Sequence, residues 1–518
     1  MLPTGMTFPT RTTRWHVAEF RLPTSGPRVV PAPSARPPIL LRFSHPSGLA
    51  MAVEGFDDGD GGCVVRWAAP EEGRWEWNAE SPHPELDGLT GVVDVDPAEG
   101  TAGSHAHGPV RAVGFHFAHA DGTPFRPFGS TAYNLLHQSD DAIRETIDDL
   151  AAAGFNKLRF MVFPQAGDYV VRTPEVMPFE RTADGGWDAS RPVPEFFRRL
   201  DRTVELLGAA GIQAEVLLLD AYDNDAYGLN RLTEDEDARY LRHVVARLAA
   251  HPHVWWSLCN EYDLLDRPDE RWDRAGELVR ALDPYDHPRS IHNWRRLYDN
   301  RRPWITHSSI QQGQAADDAG RVGLFRDVYG KAVILDEICY EGDIALRWGR
   351  LTGRQLVHKF WTTICGGAYA SHGESFERED GSLHMVAGGR LQGESPRRIA
   401  FLRSILDEIG GTGLEPVDSW WDDEFVVGIP GHAYLLYLGD THPGSWTFRL
   451  PQGLLGERLE PGQRYAVDVI DTWEMTVAPV DAVFELDEVG RNESYARAAE
   501  SVALPPTAPV ALRIRRLP

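Results

Sequence analysis

Val254-Trp-Trp-Ser-Leu-Cys-Asn-Glu-Tyr-Asp263 decides how the rest of this chain is read. The run from Val254 to Leu258 has the length and composition of a buried strand, and it stops abruptly at Asn260-Glu261. In a parallel sheet or barrel, the carboxyl ends of the strands are where chemistry is placed. An Asn-Glu pair is also at home in the first turn of a helix. A second apolar run, Ala332-Val-Ile-Leu-Asp-Glu337, ends the same way and favours two strand-end carboxylates.

Working outward, strand-like and helix-like runs alternate between about residues 125 and 412. Strands are expected at 126–132, 157–163, 213–219, 254–258, 289–292, 304–308, 332–335 and 368–371. That pattern predicts an α/β fold, a (β/α)8 TIM barrel. An open doubly wound sheet is the main rival, but no G-x-G-x-x-G follows the first strand. The helices between are well punctuated. Ser139 precedes an acidic first turn, and Thr233-Glu-Asp-Glu236 is a capping box. Ser395-Pro396 opens the last helix as N-cap and first-turn proline, and Gly410-Gly411 stops it.

Both flanks read as β. Before the barrel, short apolar runs at 15–20, 38–43, 62–67, 74–77 and 90–95 are separated by Pro, Gly and Asp, as in an antiparallel sandwich. After Gly413, runs at 425–428, 432–437, 445–450, 465–470, 482–486 and 510–514 predict a small carboxyl-terminal β domain. The expected organisation is a sandwich over 1–112, a barrel over 113–413 and a β domain over 414–518. Trp15, Trp67, Trp75 and Trp77 fit a sandwich core better than a glycan-stacking face. The acidic stretch 55–62 lacks EF-hand spacing and reads as a solvated turn.

Composition narrows the function class. A formal net charge of −25 argues against nucleic-acid or anionic-membrane partners. The four cysteines, Cys63, Cys259, Cys339 and Cys365, form no C-x-x-C pair and read as reduced core residues. No apolar run approaches the roughly 18 residues of a membrane helix, and no signal-peptide pattern opens the chain. A cytoplasmic protein is expected, with self-association left open and no cofactor or metal required.

Counted along the barrel, Glu261 ends the fourth strand and Glu337 the seventh. Two such carboxylates suit glycoside hydrolysis, in which one protonates the leaving oxygen and the other attacks the anomeric carbon or directs water. Here the residues resemble clan A of the glycoside hydrolases, and more closely a bacterial group of cellulase-like or apiosidase-like barrels with β domains in front and behind. The match includes Phe56-Asp-Asp-Gly59, Gly73-Arg-Trp75, Gly129-Ser-Thr-Ala-Tyr133, Asn260-Glu261, Asp336-Glu-Ile-Cys-Tyr-Glu-Gly342 and His372-Gly-Glu374.

The resemblance implies a retaining mechanism with Glu261 as acid/base and Glu337 as nucleophile. It makes Asn260 the amide that holds a 2-hydroxyl and Arg159 the arginine that orients the nucleophile. Glu341, four residues past Glu337, is a rival nucleophile or a sugar ligand. Tyr133, His292, His307, Tyr340, His372 and Glu374 stand at or after expected strand ends, as sugar-binding groups or as capping and packing residues. Asp220 and Asp223 read as sugar ligands or solvated loop residues, and Gln311 and Gln312 as loop residues. The expected activity is an exo-acting glycosidase for a small oligosaccharide or glycoside. One alternative is a metal-dependent barrel hydrolase or isomerase using His292, His307 and Glu337. The other is a non-catalytic carbohydrate-binding protein.

Overall fold

The computed structural model describes residues 6–23, 37–59, 62–98, 100, 103–417, 426–451, 458–489, 495–506 and 508–518. At its centre run eight parallel strands. The first five are β1 (Gly129–Thr131), β2 (Lys157–Met161), β3 (Gln213–Leu219), β4 (Val254–Cys259) and β5 (Arg289–Ser290). The other three are β6 (Ser308–Gln311), β7 (Val333–Glu337) and β8 (Tyr369–Ala370). The first five pair in sequence order as one arc and the last three as another. Single parallel bridges join the arcs at both seams, His292 to Ser309 and Gly129 to Ser371.

Helices lie between most of these strands and after the last: α1 (Asp140–Ala152), α2 (Pro194–Ala209), α3 (Glu234–Leu248), α4 (Asp269–Leu282), α5 (Ala319–Tyr329), α6 (Gly353–Cys365) and α7 (Ser395–Ile409). Their starts follow local chemistry. Ser139 accepts from Ala142 N, and Thr233 and Glu236 form the expected reciprocal box. α7 departs from expectation. Ser395 lies inside the helix, and its amide and hydroxyl are held by the remote Glu341 carboxylate.

No helix separates β5 from β6; residues 291–307 run as loop. The sixth strand was expected at 304–308, on the apolar pair Trp304-Ile305. Trp304 instead turns toward α4, donating to Asp273 at 3.0 Å, and its ring lies where a Cβ on Gly276 would need to be. The strand starts four residues later, which makes Gln311 a strand end instead of a loop residue.

Ahead of these parallel strands, a five-stranded sheet and a three-stranded sheet enclose Phe20, Phe43, Trp67, Trp75 and Trp77. Phe43 stacks on Trp67 with ring centres 4.2 Å apart. Trp15, Trp67, Trp75 and Trp77 are all buried, so they are core. Asp58 is buried too, against the expectation of a solvated turn, while Asp60 and Gly61 lie outside the described residues. It accepts from Arg247 of α3 at 2.8 Å, and Arg247 and Arg66 both reach Asp201 of α2. This buried ionic clasp ties the first sheets to the helix layer. A small antiparallel sheet (Val110–Val113, His116–His119, Pro124–Phe125) then places Phe117 against Trp255 at the amino-terminal end of the parallel strands.

After α7, a seven-stranded sheet and a three-stranded sheet enclose a separate core around Tyr434, Trp446, Phe448, Tyr465 and Leu512. Phe425, expected to begin a strand, lies outside the described residues; Val426–Ile429 is the strand. Tyr495–Ala503 was not expected as a strand because its alanines and glutamate favour helix. Antiparallel pairing with Ser445–Pro451, including Trp446 opposite Val502, overrides that preference.

Candidate active site

β4 is buried along its whole length and ends where the chain changes hand. Glu261 takes φ 49° and ψ 52°, a left-handed conformation rarely held by a non-glycine residue and common at functional sites. The residue is 5 % exposed. Tyr222 OH donates to its Oε2, and Gln311 Nε2 donates to its Oε1 at 2.6 Å. Burial pushes the Glu261 carboxyl up to about 8, with the charge of Glu337 adding to the effect. Trp255, earlier on the same strand, lies away from it beside Phe117 and His307.

Glu337 ends β7 and is 8 % exposed. The same Gln311 Nε2 donates to its Oε2 at 2.6 Å, so these two carboxylate oxygens stand no farther apart than twice 2.6 Å. Tyr133 OH donates to Glu337 Oε1, Asn260 Nδ2 donates at 3.3 Å, and the Arg159 guanidinium stands 3.7 Å away. His292 Nε2 lies 3.5 Å from the same oxygen. Burial alone would raise the Glu337 carboxyl. The opposing pull of His292, Arg159 and the Tyr133 hydroxyl holds it down to about 2.

A fully buried layer underneath orients these groups. Arg159 donates to Asn260 Oδ1 at 2.8 Å and to Tyr133 OH at 3.2 Å. Asp336 points the other way from Glu337 and accepts from Lys157 at 2.9 Å, Ser371 at 2.7 Å and Ser309 at 2.6 Å. With its proton spent on Asp336, the Ser309 hydroxyl accepts from His292 Nδ1 at 3.0 Å. Nδ1 therefore carries a hydrogen, and Nε2, turned toward Glu337, pulls on that carboxylate as a donor when it carries one as well.

Above the pair opens a cavity of about 820 Å³, lined among others by Tyr133, Tyr222, Trp294, Arg295, Tyr340 and Trp348. Tyr340 OH stands 3.4 Å from Tyr133 OH. Trp294 is 38 % exposed at the rim, with the Arg295 guanidinium 3.9 Å above its ring. Asp263 pins this rim by accepting from the backbone amides of Trp294, Arg295 and Arg296.

Of the residues expected here, Glu261, Glu337, Asn260, Arg159, Tyr133, His292 and Tyr340 converge. Four do not. His307 precedes β6 and packs against Trp255 and Phe117, so it does not join His292 and Glu337 as a metal-ligand set. His372 bonds Ser130 at 3.0 Å and stacks on Phe155. Glu341 accepts from the amides of Glu394 and Ser395, which leaves it no part as a nucleophile or sugar ligand. Glu374 accepts from the amides of Gln392 and Gly393.

Asp220 and Asp223 are buried rather than solvated. Asp223 accepts from Tyr227 N and Asn230 N, and Asp220 accepts from Tyr222 N at 2.6 Å. They shape the turn that presents Tyr222. Sequence reasoning missed Tyr222 and Gln311 as functional groups. Correct placement of β6 is the signal that finds Gln311. Nothing in the local sequence marks Tyr222.

Comparison with known proteins agrees with this geometry. A family model described as "Apiosidase-like, catalytic domain" matches residues 113–374. Two domain families of unknown function, DUF5060 and DUF5605, match residues 11–82 and 420–515. No curated protein matches. A crystal structure from Bacteroides vulgatus, described as that of a "putative glycoside hydrolase", is 31% identical over 98% of this chain and 100% of its own, with a TM-score of 0.89. A glycoside hydrolase family 5 structure, also from Bacteroides vulgatus, shares the fold at 14% identity and a TM-score of 0.59, covering 80% of this chain and 95% of its own. The chain belongs to the family of apiosidase-like catalytic domains, and its function is glycoside hydrolase-like.

Proposed function

We propose that the two strand arcs are parts of one (β/α)8 barrel and that the protein is a retaining glycosidase acting by double displacement. The observation that carries this is the shared contact of Gln311 Nε2 with both carboxylates, 2.6 Å to each. It bounds the separation of the facing oxygens near the roughly 5–5.5 Å of retaining enzymes. An inverting enzyme leaves roughly 6.5–9.5 Å for a water.

The electrostatics support the same division of labour. Glu261, pushed up to about 8, carries a proton at neutral pH, whereas Glu337 is held ionised. Protonated Glu261 gives its proton to the glycosidic oxygen while Glu337 attacks the anomeric carbon. The carbon–oxygen bond breaks, the alcohol leaves, and a glycosyl ester forms on Glu337. Ionised Glu261 then takes a proton from water, the hydroxide attacks the same carbon, and Glu337 departs as carboxylate. Tyr133, Arg159, Asn260 and His292 keep the nucleophile aimed and charged. Asn260 also has its place beside the 2-hydroxyl of a bound sugar.

The substrate is a small oligosaccharide or glycoside cleaved from its end. Support for exo action comes from the packed apolar wall of Tyr133, Tyr340, Ile344, Leu383, Met385 and Val386 beside the nucleophile. A panel of aryl glycosides tests the proposal. The product anomer, read by proton NMR at early times, is expected to match the substrate. Glu337→Gln is expected to abolish turnover while leaving sugar binding measurable. First-formed product of inverted configuration refutes double displacement.

A further inference from the structure

Beside the catalytic cavity lies a second hollow of about 950 Å³, and the two share Gln312, Gly313, Cys339 and Trp348 as a common wall. Its far side is built by α6 and by Asp440, which follows the strand Ala433–Gly439 of the carboxyl-terminal sheets. The wall between the hollows is anchored by hydrogen bonds from both sides. Lys359 of α6 donates to Gly313 O and to Asp317, each at 2.6 Å. Tyr340 N donates to Trp348 O at 2.7 Å, and Leu351 N returns to Tyr340 O at 3.0 Å. Cys339 sits at φ 73° in the left-handed region, with Gly313 so near that a Cβ there would stand 3.0 Å from its Sγ. This ridge follows the nucleophile by two residues, so whatever leaves the catalytic cavity on this side crosses it.

The lining of the second hollow suits hydroxyl groups. Gln312, Gln314 and Gln355 supply amides, and the charges largely answer one another. Lys359 pairs with Asp317 at 2.6 Å, and Arg354 pairs with Asp440 at 3.1 Å. Size points the same way. A site for a drug-sized ligand takes roughly 300–1,000 Å³, so the hollows of about 820 and 950 Å³ are each a site of that class. A monoglycoside leaves the second one empty.

We propose that the second hollow binds the continuing chain of a neutral oligosaccharide whose scissile bond lies over Glu261 and Glu337, with the Arg354–Asp440 pair as part of its floor. The inference rests on the glycosidase reading above and extends it to substrate length. It makes the carboxyl-terminal β unit a participant in substrate recognition.

The test compares the wild-type protein with Arg354→Ala and Asp440→Ala. These residues form an exposed ion pair, which contributes little to stability, so both variants are expected to fold. The probes are aryl monoglycosides and end-labelled oligosaccharides of about two to five units, a neutral series of the same sugars and a uronic-acid series of the same lengths. The value of kcat/KM is expected to rise about tenfold or more with chain length. Each variant is expected to lose about tenfold on the longest substrate, the size of one charge-assisted hydrogen bond, and to leave monoglycoside turnover unchanged. A protein that cleaves monoglycosides but is indifferent to chain length and to both variants overturns this inference alone. A gain confined to uronic-acid oligosaccharides overturns the neutral ligand. Failure to cleave any member of the panel overturns the glycosidase reading together with it.

Discussion

Tyr222→Phe removes one oxygen and keeps the ring, so it isolates the hydrogen bond from Tyr222 OH to Glu261 Oε2. That bond favours the ionised carboxylate and opposes the upward push of burial and of the Glu337 charge. Losing it therefore raises the Glu261 pKa further. A hydrogen bond to a charged group contributes about 1.5–3 kcal/mol, and 1.36 kcal/mol is one pKa unit, so the shift is about one to two units. The reaction starts from protonated Glu261, so wild-type kcat/KM is expected to fall as pH rises past about 8. In the variant that alkaline limb moves to about 9–10. The assay is the pH dependence of kcat/KM for an aryl glycoside, wild type beside variant. An alkaline limb that stays in place or moves to lower pH refutes Glu261 as the proton donor governed by this contact.

Glu261→Gln is expected to cost about 10²–10⁴ in kcat on alkyl glycosides. The loss should shrink on aryl glycosides with acidic leaving groups, as a Brønsted plot would show. Gln311→Leu takes a donor from both carboxylates at once, so kcat/KM at pH 7 is expected to fall by about tenfold or more. His307→Phe leaves turnover unchanged, whereas His292→Ala lowers it, because only His292 reaches the carboxylates; steady-state kinetics on both variants checks this. Asp201→Ala strips two arginines of a buried partner and should destabilise the protein by about 3–5 kcal/mol, read as a lower urea midpoint by tryptophan fluorescence.

Strand-end carboxylates were legible because a buried parallel strand is an unbroken apolar run, and a charge can only follow it where the run leaves the layer. Val254–Cys259 and Val333–Glu337 both obey this, which is why Glu261 and Glu337 were found. Ser308–Gln311 escaped because two of its four residues are serines, which break the apolar run; one of them, Ser309, serves Asp336 and His292. An apolar pair nearby, Trp304-Ile305, imitated the strand while packing on a helix. His307, His372, Glu341 and Glu374 share a different cause. A position at a strand end specifies height along the axis but not which way the side chain turns, and these four turn into packing or toward backbone amides. Tyr222 was invisible because its turn is held by Asp220 and Asp223, whose partners lie within a segment that has no periodic signature.

The Glu341 and Glu374 carboxylates carry a lesson about where the catalytic unit stops. The family match closes at residue 374, and among the described residues the side chains that hydrogen-bond Glu261 or Glu337 lie before it. Yet these two acids are neutralised by four amides from residues 392–395, at the threshold of α7. A chain trimmed to the matched segment keeps both carboxylates and their hydrogen-bond partners, and strands two buried acids directly behind the nucleophile loop. For this protein, the stretch that can be inherited as a recognisable catalytic sequence is shorter than the stretch that must travel with it to stay folded.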